Sequence, residues 1–153
     1  MRPFELRNRT RRTRTARALL LAAVLSAPTF VLADIAIIVH PNNPVKQMTV
    51  QQVSDLYLGR ARNFPGGEFA LVFDLPRDDA LREKFFQSLA GMSPQQVNAY
   101  WSRLMFTGQV LPPQPMPNDR AVLDIVRRNP GAVGYVKNDG LDTSVRAVLV
   151  LKE

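Results

Sequence analysis

Along residues 34–153 the spacing of apolar positions changes several times, and each change marks an element. Residues 34–40, Asp-Ile-Ala-Ile-Ile-Val-His, form a β-branched apolar run stopped by Pro41 and Pro44, which predicts a buried strand leaving into a turn. Thr49 and Gln52 then have the spacing of a capping box, and Val50, Val53, Leu56 and Tyr57 make a helical stripe that should stop near Gly59. Residues 63–67 read as a turn, and Glu68-Phe-Ala-Leu-Val-Phe-Asp74 as a second strand. A helix over 79–90 follows, burying Leu81, Phe85 and Leu89, with Gly91 as its stop.

The next helix start has the strongest signal in the chain. Ser93-Pro94-Gln95-Gln96 combines an N-cap, a proline at the first helical position and a glutamine at the third. Val97, Tyr100, Trp101, Leu104 and Met105 then line one face, which reads as core. Four prolines (Pro112, Pro113, Pro115, Pro117) fall within 108–118, so this stretch is expected to be an extended surface loop with neither helix nor ladder. Val122, Ile125 and Val126 give helical spacing over 119–128, ended by Asn129-Pro130-Gly131. Residues 132–136 and 145–151 are strands, with Gly134 packing closely and the Tyr135 hydroxyl satisfied locally. No repeat or internal boundary divides these 120 residues. The alternation predicts one α/β domain of two or three layers, with a mixed sheet of at most five strands and the two terminal strands pairing centrally.

Composition changes the picture only after the charge is located. The chain carries 20 Lys+Arg against 13 Asp+Glu, a net +7. Seven arginines (Arg2, Arg7, Arg9, Arg11, Arg12, Arg14, Arg17) and Glu5 stand in the first seventeen positions and supply six of those units. They precede an apolar run over 18–27, broken only by Ser26, then Pro28, Thr29 and four more apolar residues, the pattern of a secretory signal. Val31 and Ala33 place small side chains three and one positions before Asp34, so cleavage is expected after Ala33. Residues 18–33 include a proline and fall short of the roughly 20 needed to span a bilayer. The expected organisation is therefore a signal peptide over 1–33 and a periplasmic domain over 34–153, with no stable membrane span after cleavage. Thr10-Arg11-Arg12 leaves Sec and twin-arginine export both open. With the signal removed, the nearly balanced remainder does not support nucleic-acid binding.

The chain has no cysteine and one histidine. Thiol nucleophiles, disulfides and a two-histidine metal site within one chain are thereby excluded. Ser-His-Asp chemistry could be built only around His40, in the loop-like run His40-Pro41-Asn42-Asn43-Pro44. Asp74, Asp78 and Asp79 could hold a hard cation or do acid/base work, but acids at a helix start serve as caps and nothing else converges on them. No enzymatic activity, cofactor or metal is expected.

Four blocks in order carry a family resemblance: Val39-His-Pro-Asn-Asn-Pro-Val45; 49–59 ending Asp55-Leu-Tyr-Leu-Gly59, followed by Phe64-Pro-Gly-Gly67; Tyr100-Trp-Ser-Arg-Leu-Met-Phe-Thr-Gly108; and Asn129-Pro-Gly-Ala-Val-Gly-Tyr-Val136. Together they resemble one lobe of the phosphate-type substrate-binding proteins of ABC transporters. The resemblance implies a single lobe of a type 2 periplasmic-binding-protein fold, and a small anion, phosphate among the candidates, as ligand. It further implies an ABC permease or another envelope protein as partner. In that family an Arg near a strand end and a Ser-Gly-Thr at a helix N-terminus hold the anion. Aligned on the helix start, these positions fall on Leu75, Asp79, Ala80 and Leu81. The side-chain donors are absent, and Asp79 has the character of an N-cap. Two readings stay open. In one, an exported solute-binding-like domain captures an anion for uptake or sensing at Arg77, Asp78, Asp79, Ala80 and Arg82, with charge from the arginines and geometry from the helix amides. In the other, the lobe has lost its ligand and acts as a periplasmic adaptor, with the 112–117 loop as a partner strip. A single lobe offers one wall, so tight capture requires a second protein surface.

Overall fold

The computed structural model describes residues 33–108, 110–139 and 141–152. Apart from Ala33, the expected signal segment lies outside them. Among the described residues nine elements follow in order: β1 (Ile35–Val39), α1 (Val50–Tyr57), β2 (Leu71–Asp74), α2 (Ala80–Ala90), α3 (Pro94–Thr107), β3 (Gln114–Pro115), α4 (Asp119–Val126), β4 (Ala132–Lys137) and β5 (Arg146–Leu151). The strands form one open five-stranded sheet in the order β3-β2-β4-β1-β5. β2 runs parallel to β3 and β4, whereas β1 is antiparallel to both β4 and β5, so the sheet is mixed.

The predicted caps explain where the helices begin. In α1 the Thr49 hydroxyl accepts from the Gln52 amide at 3.2 Å while the Gln52 side chain accepts from the Thr49 amide at 2.9 Å. Ser93 and Gln96 repeat that reciprocal pair at α3. Each box satisfies two amides that the first turn would otherwise leave without partners. α2 ends at Gly91, whose φ of 64° a side chain would strain.

Successive strand residues face opposite sides of a sheet, and β4 shows what covers each. The Gly134 position meets Val122 and Val126 of α4 on one face. Its neighbour Tyr135 stacks on Phe85 of α2 and meets Tyr57 of α1 edge-on on the other. The lobe is thus three-layered, and all five β1 residues are fully buried between the layers. Trp101 and Val97 join the core from α3. Among the described residues no helix is long and apolar enough to cross a membrane.

Four expectations are corrected. Residues 112–117 do contribute a ladder: Gln114 and Pro115 pair with Phe73 and Asp74, and the Met116 amide donates to the Asp74 carbonyl at 2.8 Å. An edge strand tolerates prolines because only one of its sides must donate. β2 begins at Leu71 rather than Glu68, because Phe69 bridges back to Asn63 across the 63–67 turn. The two terminal strands do pair, but β5 is an edge strand rather than a central one. Met105 leaves the buried α3 face and is 42% exposed.

Candidate functional site

In open α/β sheets ligands collect beyond the carboxyl ends of strands. β2 ends at Asp74, and the five-residue link 75–79 delivers the chain to α2. The candidate residues Arg77, Asp78, Asp79, Ala80 and Arg82 all fall on this link and the first turn of the helix. Arg77, Asp78 and Ala80 are exposed, Asp79 is half-buried, and Arg82 is buried. The structure therefore brings the first four together at the surface and turns Arg82 inward.

Asp79 is the α2 N-cap. Its Oδ1 accepts from the Leu81 amide at 2.8 Å and the Arg82 amide at 3.3 Å. These are the amides that an anion at this helix start would contact. His40, by contrast, accepts from the Asn42 amide through Nδ1 at 3.0 Å, a local turn bond.

Beneath the cap lies a polar cluster that the residue pattern did not single out. Arg82 donates from Nε to Asp74 Oδ2 at 2.8 Å, with only 6% and 8% of the two side chains exposed. Asp74 Oδ1 accepts from the Tyr135 hydroxyl at 2.6 Å and from the Leu75 amide at 2.8 Å. The Arg82 guanidinium also lies 4.9 Å above the Phe86 ring. The Tyr135 hydroxyl is thus satisfied across the sheet, 61 residues away, rather than locally. A carboxylate taken this far from water persists because a cation and two donors compensate for lost hydration.

The same burial controls the tyrosines. Desolvation, and then the negative Asp74, push the Tyr135 hydroxyl far above its ordinary titration range. Tyr57, whose hydroxyl donates to the Phe73 carbonyl at 3.0 Å, is raised by the same two causes in the same order. A group with a raised folded-state pKa contributes full stability below its unfolded value and loses it as pH rises. Denaturant midpoints should therefore hold steady up to about pH 10 and fall above it, at up to ~1.4 kcal/mol per pH unit for each tyrosine. Tyr135→Phe should reduce that alkaline slope by about half relative to the parent chain.

No family model matches the chain, and no curated protein matches it. Solved structures do. One described as a phosphate ABC transporter substrate-binding protein with bound phosphate, from Clostridium perfringens, aligns with a TM-score of 0.62 at 24% identity, over 76% of this chain and 44% of its own. An ABC-type phosphate transport receptor from Vibrio cholerae gives 0.60 at 21% identity, over 76% and 45%. PstS from Borrelia burgdorferi gives 0.56 at 10% identity, over 78% and 47%. The fold is that of one lobe of the phosphate-type substrate-binding proteins. The chain spans less than half the length of these neighbours.

Proposed function

We propose that the chain is an exported, periplasmic solute-binding-like lobe that captures a small anion, phosphate first among the candidates, for uptake or sensing with an ABC permease. The observation that carries this reading is the position of α2: its N-terminus opens at the carboxyl end of β2, in a fold shared with solved phosphate-transport binding proteins. The seat comprises Arg77, Asp78, Asp79, Ala80 and Arg82. Exposed Arg77 supplies accessible positive charge, and the first-turn amides supply direction once the Asp79 side chain swings away. The role is binding rather than catalysis. A second surface must close over the anion, because one lobe cannot bury most of a ligand.

A specific observation favours a second reading, an envelope adaptor that no longer holds an anion. Asp79 occupies two helix amides and Asp74 occupies Arg82, so the chain's own carboxylates already take the donors. Calorimetric titration of the purified chain with phosphate, sulfate and small carboxylates, beside Asp79→Ser, separates the two. Saturable binding by the parent chain that Arg77→Ala weakens about threefold or more supports capture. Binding by Asp79→Ser alone supports the adaptor. A flat response from both overturns anion capture.

A further inference from the structure

Asp74 and Arg82 hold each other unequally. Both oxygens of the carboxylate are engaged: Oδ1 accepts from the Tyr135 hydroxyl at 2.6 Å and the Leu75 amide at 2.8 Å, and Oδ2 accepts from Arg82 Nε at 2.8 Å. Arg82, whose guanidinium carries several further N–H donors, makes only that one side-chain hydrogen bond among the described residues. Its remaining hold is the Phe86 ring, whose centroid lies 4.9 Å from the guanidinium carbon. If Arg82 withdraws, the buried carboxylate keeps the Tyr135 and Leu75 donors, so its burial stays partly compensated. If Asp74 is removed, the Arg82 side chain loses its hydrogen-bond acceptor. The carboxylate is thus the fixed member of the pair, and the arginine is the member able to leave.

Its place in the helix gives the arginine somewhere to go. Arg82 is the third residue of α2, and its own amide is one of the two that Asp79 occupies. Helical side chains lean towards the helix N-terminus, so this guanidinium rises from the same turn whose amides face the proposed anion seat. An oxyanion there offers charge-assisted bonds to the terminal amino groups that Asp74 leaves unused. We propose, resting on the anion-capture reading, that the Asp74–Arg82 pair is an autoinhibitory latch. Asp74 withholds Arg82 from the seat, and Tyr135 makes release possible by retaining Asp74 once the arginine has gone. Tyr135 is a positioning residue in this scheme and acts through Asp74.

The two partners of Arg82 and Asp74 in this latch have opposite expected effects on binding, which a purely structural cluster would not show. The test is calorimetric titration of the full purified chain and its variants with inorganic phosphate, with a thermal melt of each to show that it is folded. Asp74→Asn keeps an acceptor for Tyr135 but drops the charge that retains Arg82, and should tighten phosphate about threefold or more. Tyr135→Phe leaves Asp74 more dependent on Arg82 and should weaken phosphate about threefold. Arg82→Gln added to Asp74→Asn should cancel the gain, whereas a gain from the loss of a nearby negative charge alone would persist. Tightening that requires Arg82, together with weakening in Tyr135→Phe, supports the latch. Binding by Asp74→Asn alone, abolished by Arg82→Gln, also supports it, as a latch closed in the parent; capture by the parent chain is then what fails. Parent binding that Asp74→Asn does not tighten, a gain that survives Arg82→Gln, or binding that Tyr135→Phe leaves unchanged or tightens overturns the latch and leaves anion capture standing. No binding by any folded chain overturns both. Where Asp74→Asn shows no cooperative melt, Tyr135→Phe decides alone.

Discussion

Asp74→Ala should be among the most damaging single substitutions in the lobe, costing about 3–5 kcal/mol in urea or guanidinium unfolding and lowering Tm by roughly 10 °C or more. The cost is not simply that of a lost ion pair. Removing the carboxylate leaves the Arg82 guanidinium charged in the interior, strips the Tyr135 hydroxyl of its acceptor and leaves the Leu75 amide only its long 3.4 Å bond to the Tyr135 hydroxyl. A buried charge without compensation is what makes the loss large. Asp74→Asn tests that account, because the amide oxygen can still accept from Tyr135 and Leu75 while the negative charge is gone. It should fall between the parent and Asp74→Ala.

The double change Asp74→Leu with Arg82→Met removes both charges and should recover most of the loss, since apolar residues of similar volume often replace a buried ion pair at little cost. If the double variant is instead as unstable as the sum of the two single changes, the pair contributes geometry that apolar packing cannot supply. The result also bears on function. Asp74 is the internal partner that holds Arg82 away from the surface, so the stability of this pair sets how readily Arg82 could turn towards an anion.

The local elements were legible because their signals are local. Both capping boxes, the Gly91 stop and the continuous apolar run of β1 are properties of a few adjacent residues, and each appears where its residues require. β3 was not legible, because a two-residue edge ladder depends on Phe73 and Asp74 lying alongside, which no spacing within 108–118 encodes. The N-cap character of Asp79 could be read from its place before the helix. The inward turn of Arg82 had a readable signal that apolar counting passes over: positions 82, 85, 86 and 89 lie on one helical face, so the arginine shares the stripe of Phe85, Phe86 and Leu89. An arginine on a buried stripe requires an acid, and Asp74 ends the adjoining apolar strand. Tyr135 as the third member is a product of sheet topology, since β4 joins β2 only after four intervening elements.

Gly134→Ala carries the second large effect, and its cause is a distance rather than a backbone angle. A Cβ at this position would lie 2.2 Å from Val122 Cγ1, and the next atom, on Val126, is 3.4 Å away. Contacts below about 3 Å between carbons are strongly repulsive, so α4 must withdraw from β4 or Val122 must leave its rotamer. Both strands flanking β4 are paired to it, so the sheet cannot yield instead. Overpacking of this kind should cost about 1–3 kcal/mol, and Gly134→Val more. The discriminating measurement is the double variant Gly134→Ala with Val122→Ala, in which the new methyl occupies the volume that the lost methyls vacate. It should be more stable than the two single losses predict by about 0.5–3 kcal/mol. Strict additivity would mean that α4 already moves independently of β4, and the close approach would then not be what holds this helix on the sheet.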